Sequence, residues 1–382
     1  MSKAAQAVAA DHIFDGTTVH EKAAVLIEGE QIVRIVPRAE LARSMPVRAL
    51  PAGAWLAPGF IDLQVNGGGD VLFNDSPTPE AIATIVAAHR KSGTTSLLPT
   101  FITDAPEKMQ VAIKAVQTAI GKQPGVLGIH LEGPFISPER PGVHDRQFIR
   151  QAEQTDIAML AAPRKGVTLV TLAPEQMPKG FIAQLAKAGV RVSLGHSLAT
   201  YEQTRAAMAE GLTGFTHLFN AMPALLSRQP GPVAAALESP GAFYGLIVDG
   251  AHVDAATLRM ALRGAGRPIL VTDAMPPVGG SQKTFRLYGE EISVSNGRCT
   301  RKDGTLAGAY LTMAQAVNNC VRLLGASLQE ALRFASKNPA DFIGLGGKLG
   351  QLAPGYRADM AAFDPGKIEV IETWVAGQAS AG

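Results

Sequence analysis

Apolar positions from Val8 to about Leu56 fall in short β-type runs. VLIEGEQIVRIVP clusters β-branched residues around the turn-prone Glu28-Gly29-Glu30 and predicts a hairpin. From about Pro58 the rhythm changes to strand, loop and helix, repeated. The apolar runs predict strands at 60–65 (FIDLQV), 94–99 (TTSLLP), 126–131 (VLGIHL) and 167–172 (VTLVTL). Four more follow at 190–195 (VRVSLG), 213–217 (TGFTH), 244–249 (YGLIVD) and 268–273 (PILVTD). The segments between them carry helical spacing, as in PEAIATIVAAHRKSG and FIAQLAKAG, each closed by a glycine suited to a helix C-terminus.

Eight strands alternating with helices over roughly 250 residues is the count of a (β/α)8 TIM barrel, an α/β fold. The barrel is expected to span 58–349, with an irregular β-hairpin insertion at 281–309 and two further helices at 312–324 and 327–336. The tail, GKLGQLAPGYRADMAAFDPGKIEVIETWVAGQ, returns to β-like alternation. It is expected to rejoin the first segment, so that 1–57 and 350–382 build one small β-sandwich domain.

Composition leaves this picture intact and removes several function classes. Of 382 residues, 46% are hydrophobic and 18% charged, ordinary for a globular protein. Lys+Arg 35 against Asp+Glu 33 gives a net charge of +2, which does not suggest a nucleic-acid partner. No run approaches the roughly 18 apolar residues of a membrane span. The opening MSKAAQAVAADHIFDG lacks the charged start and long apolar run of a secretory signal. Cys299 and Cys320 are the only cysteines and lie in no metal-type spacing. The expected location is therefore the cytoplasm.

Candidate chemistry sits at the strand ends. HLEGPF carries Glu132 after the third strand, LGHS carries His196 after the fifth, THLFNAM carries His217 after the sixth, and VTDAM carries Asp273 after the eighth. Side chains at the C-terminal ends of barrel strands face one common mouth. Two imidazoles and a carboxylate form a three-ligand set for Zn2+ or a similar divalent ion, with an open position for water. Such an ion lowers the pKa of its water to about 7. Asp273 is expected to take that water's proton and pass it to the leaving atom.

The other histidines divide. His12 and His20 are expected at the surface, and His89, beside Arg90 and Lys91, on a solvated helix face. His130 shares strand parity with Glu132 and is expected inside the barrel one layer lower, as packing rather than a ligand. His144 and His252 follow glycine-containing loops near the mouth, where loop structure and substrate contact are equally open readings. Arg228 is either a solvated loop residue or a partner for an anionic substrate.

HLEGPF, LGHS, THLFNAMP, DGAHV, VTDAM and GTLAGA, in this order, resemble the N-acetylglucosamine-6-phosphate deacetylase branch of the amidohydrolase superfamily, from about Asp11 to Gly377. LAPGFIDLQVNG and GQLAPGYRADMAAFD agree, though they are generic to the superfamily. The resemblance implies a barrel of the amidohydrolase type that removes acetate from N-acetylglucosamine 6-phosphate in amino-sugar breakdown or recycling. It assigns Glu132, His196 and His217 as metal ligands and Asp273 as general base and then acid. Asn220, Ala221, Arg228 and His252 match positions that hold the sugar phosphate. Val143 and His144 match positions near the acetamide and sugar hydroxyls, with His144 counted as catalytic, and Leu306, Ala307 and Gly308 lie near the sugar. A homodimer or homotetramer is implied, with phosphate contacts that cross between subunits.

Many superfamily members carry His-x-His at the end of the first strand and hold two metals. Here that place reads Gln64-Val65-Asn66. An amide is a weak ligand beside an imidazole, so one ion per subunit is expected, Zn2+ first, with Fe2+, Co2+ or Mn2+ as alternatives. Gln64 and Asn66 would then order the groups around it. Three other readings compete: an N-acetylgalactosamine-6-phosphate deacetylase, a cyclic-amide hydrolase, and a barrel that has lost catalysis.

Overall fold

A computed structural model of the chain describes residues 5–162 and 164–380. Eight parallel strands run Phe60–Val65, Thr94–Ile102, Gly128–Glu132, Val167–Leu172, Arg191–Leu194, Gly214–Phe215, Phe243–Leu246 and Arg267–Leu270. Each pairs with its sequence neighbours in one sheet. The sheet curls until its ends meet. Val65 bridges Ala274 in parallel, and the amides of Asn66 and Gly67 donate to the Ala274 carbonyl at 3.0 and 2.9 Å. The strands are predominantly apolar and both faces are covered: every residue of the first three is buried.

Local chemistry starts the helices between the strands. Thr78 accepts from the Ala81 amide ahead of Pro79 at the first turn of helix Pro79–Arg90. Reciprocal caps pair Thr200 with Gln203, Thr312 with Gln315 and Ser327 with Glu330. The last two begin helices Met313–Leu324 and Leu328–Ala335, close to their expected bounds. No helix among the described residues is long and apolar enough to cross a membrane.

The insertion is a four-stranded antiparallel sheet, Thr284–Leu287, Glu290–Ser295, Arg298–Thr300 and Leu306–Ala309. Its last strand docks on the chain leaving the eighth barrel strand, with the Ala309 amide donating to the Asp273 carbonyl at 2.9 Å. Phe285, Leu287, Ile292 and Cys299 pack beneath it with Ile102 and Met275 of the barrel. The N-terminal strands Gln6–Phe14, Val19–Glu28, Gln31–Pro37, Val47–Ala49 and Trp55–Pro58 join Met360–Asp364, Glu369–Val375 and Gln378–Ala379 in a second eight-stranded sheet. This sheet divides where Val47–Ala49 and Trp55–Leu56 pair successive halves of the first strand. Arg357 ties it to the barrel, donating to Ser96 Oγ at 2.7 Å and to the Pro124 carbonyl at 2.9 Å.

His89 departs from expectation. It is fully buried, not solvated, and its Nε2 lies 2.9 Å from the Gly67 carbonyl. The short Gly67–Gly68 hairpin after the first strand packs onto the helix at this residue; a Cβ on Gly68 would lie 2.8 Å from His89 Nε2. His12 and His20 are only half-buried; His12 stacks on Trp55 and His20 pairs with Asp15 at 2.7 Å.

Close strand approach makes a specific demand at Gly128. A Cβ there would lie 1.9 Å from the Val167 carbonyl oxygen, which is backbone and cannot swing aside. Gly128→Ala is therefore expected to destabilise the protein by at least about 2 kcal/mol, the upper range of overpacking costs. Gly241→Ala, where a Cβ meets nothing within 4 Å, serves as the neutral control. Thermal melts of both variants check this, and equal melting points would refute it.

Candidate metal and catalytic site

Three ligand atoms converge at the C-terminal mouth of the barrel. Glu132 Oε1 lies 3.2 Å from His196 Nε2 and 3.0 Å from His217 Nε2, and the two nitrogens are 3.1 Å apart. All three residues are buried. His196 Nδ1 sits 2.8 Å from the Arg140 carbonyl, so that nitrogen carries the proton and Nε2 presents a lone pair. Lone pairs aimed at one another in a buried pocket repel unless a cation or protons lie between them. The donor set fits a divalent ion. Burial works against the Glu132 carboxylate, yet the two imidazoles hold it well below its ordinary range. Burial likewise disfavours a charged His217, but the Glu132 carboxylate outweighs it and pushes this imidazole up.

Asp273 stands beside this cluster on two amide hydrogen bonds. Asn66 Nδ2 donates to Oδ1 at 2.6 Å, and Gln64 Nε2 donates to the same atom at 3.1 Å. Gln64 Nε2 also donates to Glu132 Oε2 at 3.1 Å, bridging the two carboxylates. Burial first, and then the Glu132 charge, push the Asp273 carboxyl up to about 6. Both amides use Oδ1, and among the described residues no hydrogen bond reaches Oδ2.

Below them, Asp62 of the first strand anchors the segment that carries Asp273. Thr272 Oγ1 donates to Asp62 Oδ2 at 2.5 Å, and the Thr272 and Gln64 amides donate to Oδ1 at 3.3 and 3.2 Å. Complete burial pushes Asp62 up to about 7 despite these donors.

A cavity of about 240 Å³ opens in front of the cluster. Its walls include Asn66, Val143, His144, Asn220, Ala221, His252, Leu306 and Gly308, together with Glu132, His196, His217 and Asp273. His144 is held by Thr103, whose hydroxyl lies 2.8 Å and whose amide lies 3.4 Å from Nδ1. With Nδ1 accepting, Nε2 carries the proton. Burial and the neighbouring His196 push this imidazole down to about 3, so it stays neutral. His252 Nδ1 pairs with Asp249 at 2.7 Å.

Two expected residues stand apart. Ala307 does not line the cavity; its side chain is buried in the insertion's own core. Arg228 is exposed in the turn joined by Leu226 and Gln229 and also lies outside the cavity wall. His130 lies inside the barrel as expected, hydrogen-bonded to Thr100 and Thr171.

Several contributors were not foreseen. Thr103, Arg140, Asp62 and Thr272 support site residues, and Ile102, Gly142, Ile247, Met275 and Thr305 complete the cavity wall. Thr103 follows the second strand, the same strand-end position that marked Glu132. His196, His217, Phe219, Ala221 and Asp273 all have positive φ, between +32° and +78°, although none is a glycine. Such backbone is costly and concentrates at functional sites.

A buried Glu-His-His cluster that could hold a metal ion, with a carboxylate beside it, suits metal-assisted hydrolysis. Comparison with known proteins leads to the same class: the amidohydrolase family pattern matches residues 55–380, and the chain belongs to that family. A curated relative, the N-acetylgalactosamine-6-phosphate deacetylase of Shewanella sp. (strain ANA-3), is 41% identical over 89% of this chain and 86% of its own. The N-acetylglucosamine-6-phosphate deacetylase of Haemophilus influenzae is 38% identical over 93% of this chain and 94% of its own. Among solved structures, N-acetylglucosamine-6-phosphate deacetylase from Pasteurella multocida superposes with a TM-score of 0.95 at 36% identity, covering 99% of this chain and 100% of that one.

Asp62 supplies a pH test. Its folded pKa of about 7 lies above the ordinary 3.8, so the folded state holds a proton that the unfolded chain releases earlier. Its contribution to stability is full below about pH 4 and is lost as pH rises towards 7. Asp62→Asn keeps the shape without the titration. The variant is expected to show a smaller fall in melting temperature between pH 5 and pH 8 than the parent, both metal-free. Identical falls would contradict the assignment.

Proposed function

We propose that this protein is a metal-dependent hydrolase that deacetylates N-acetylglucosamine 6-phosphate, giving glucosamine 6-phosphate and acetate. The observation that carries the reading is the buried Glu132–His196–His217 cluster beside Asp273 in a sugar-sized cavity. The names of its relatives supply the amino-sugar phosphate.

In this reading Glu132, His196 and His217 hold one divalent ion, Zn2+ first. When bound, that ion supplies Lewis acidity, acidifying a water and polarising the acetamide carbonyl. Asp273 receives the water's proton at Oδ2, its raised pKa suiting it to hold that proton near neutrality. It then delivers the proton to the sugar nitrogen as the C–N bond breaks. His144 offers a neutral Nε2–H towards the acetamide oxygen or a sugar hydroxyl, its tautomer set by Thr103. Val143, Leu306 and Gly308 form walls for the sugar. Asn220, Ala221 and His252 receive the phosphate, with His252 oriented by Asp249.

Arg228 is exposed outside the wall, so its guanidinium reaches the phosphate from the rim or from a second copy of the chain in a dimer or tetramer. Gln64 and Asn66 support a one-ion site, because their amide protons already satisfy the carboxylate oxygens that a second cation would take. The same pair argues against a cyclic-amide hydrolase, and the complete ligand set argues against a barrel that has lost catalysis.

One alternative substrate has a specific observation behind it. The Shewanella relative, at 41% identity, is named for N-acetylgalactosamine 6-phosphate, which differs at a single hydroxyl. Comparing kcat/KM on the two phosphosugars and on unphosphorylated N-acetylglucosamine decides the matter. The proposal expects the gluco phosphosugar to lead; a higher value for the galacto substrate would transfer the assignment.

Asp273→Asn is expected to retain metal and substrate binding while lowering kcat at least ~100-fold, the usual worth of general acid–base help. Steady-state kinetics with metal analysis checks this, and a near-normal kcat would refute the role. Arg228→Ala is expected to raise KM for the phosphorylated sugar with little change in kcat, as loss of a binding contact does. An unchanged KM would put the phosphate elsewhere.

A further inference from the structure

A histidine that gives one nitrogen to a metal carries a proton on the other, and that proton needs an acceptor. His196 has one in the Arg140 carbonyl. Among the described residues His217 Nδ1 has no hydrogen-bond partner of good geometry, although it is sealed from solvent. His217 also lines a second, smaller cavity one layer deeper in the barrel, with Gln64, His130, Ser193 and Thr216 among its polar walls. Its volume of about 20 Å³ exceeds the ~10–15 Å³ that one water needs.

Three polar wall residues, His130, Thr216 and Ser193, belong to one hydrogen-bonded chain that passes through Thr171. His130 Nε2 lies 2.8 Å from Thr171 Oγ1, which lies 2.6 Å from Thr216 Oγ1, which lies 2.7 Å from Ser193 Oγ. Three hydroxyls bring three protons and six lone pairs. Those three contacts use at most three of the lone pairs, so acceptor capacity remains along the chain. His217 and the hydroxyl-bearing Ser193 and Thr216 line the same space.

We propose that this cavity is a one-water site that completes the hydrogen bonding of His217. The water accepts the His217 Nδ1–H and donates to the open lone pairs of Ser193 and Thr216. It thereby fixes the ring's tautomer and plane and links it through the hydroxyl chain to His130. The inference rests on His217 being a metal ligand, and its effect is to strengthen metal binding rather than to touch substrate.

The test combines crystallography with zinc affinity. High-resolution crystal structures of the zinc-loaded and metal-free protein are expected to show one ordered water within hydrogen-bond distance of His217 Nδ1. Chelator competition is expected to show a loss of zinc affinity of about 10-fold or more in Thr216→Val, the scale of lost outer-shell partners, and recovery in Thr216→Ser. Ser193→Ala, also verified as folded by thermal melting, provides a second route to the same loss. An empty cavity in the parent, or parental zinc affinity in both Thr216→Val and Ser193→Ala, overturns the proposal while leaving the metal site standing. A parent that binds no zinc at Glu132, His196 and His217 overturns both.

Discussion

The seam between the first and eighth barrel strands is the constraint on which the rest depends. Closure there is made by few backbone contacts, chiefly the Val65–Ala274 bridge and the amides that donate to Ala274. Side chains complete it. Asp62 grips Thr272, and Gln64 and Asn66 grip Asp273. The bonds that close the barrel are therefore the bonds that aim the proposed acid–base carboxylate. The insertion reinforces them from outside, because Ala309 donates to the Asp273 carbonyl.

The same seam resolves an electrostatic problem. Glu132 is buried and Asp273 partly so; their charges push against each other, and desolvation alone raises both. Two cations would remove the repulsion. Here the Gln64 amide bridges the pair, and the two imidazoles pull Glu132 down, leaving Asp273 as the carboxylate with the raised pKa. In the proposed mechanism two neighbouring groups thus separate into a ligand and a proton carrier, a division of labour that environment imposes on chemically similar residues.

Much of this was legible in the sequence because barrel strands are buried on both faces and announce themselves as apolar runs. VTLVTL was read to the residue, and Glu132, His196, His217 and Asp273 stood out by lying where such runs stop. The sixth strand is shorter than the apolar run TGFTH suggests: it ends at Phe215 because the chain turns into left-handed backbone at His217, and no glycine signals that turn. His89 was misread because its neighbours Arg90 and Lys91 are polar, while the glycine hairpin that buries it comes from a separate segment. Thr103 and Arg140 act through backbone and hydroxyl groups that any sequence offers in abundance. Supports of this kind become visible only when the fold brings them to the side chain they hold.

The central claim is that one ion at Glu132, His196 and His217, with Asp273 beside it, removes acetate from a phosphorylated acetamido sugar. Acetate release from N-acetylglucosamine 6-phosphate, followed while Zn2+ is returned stepwise to metal-free protein, tests it most directly. No release is expected without metal, and full activity is expected at one ion per chain. Turnover by the metal-free protein, or activity that rises until a second tightly bound ion is added, would contradict it.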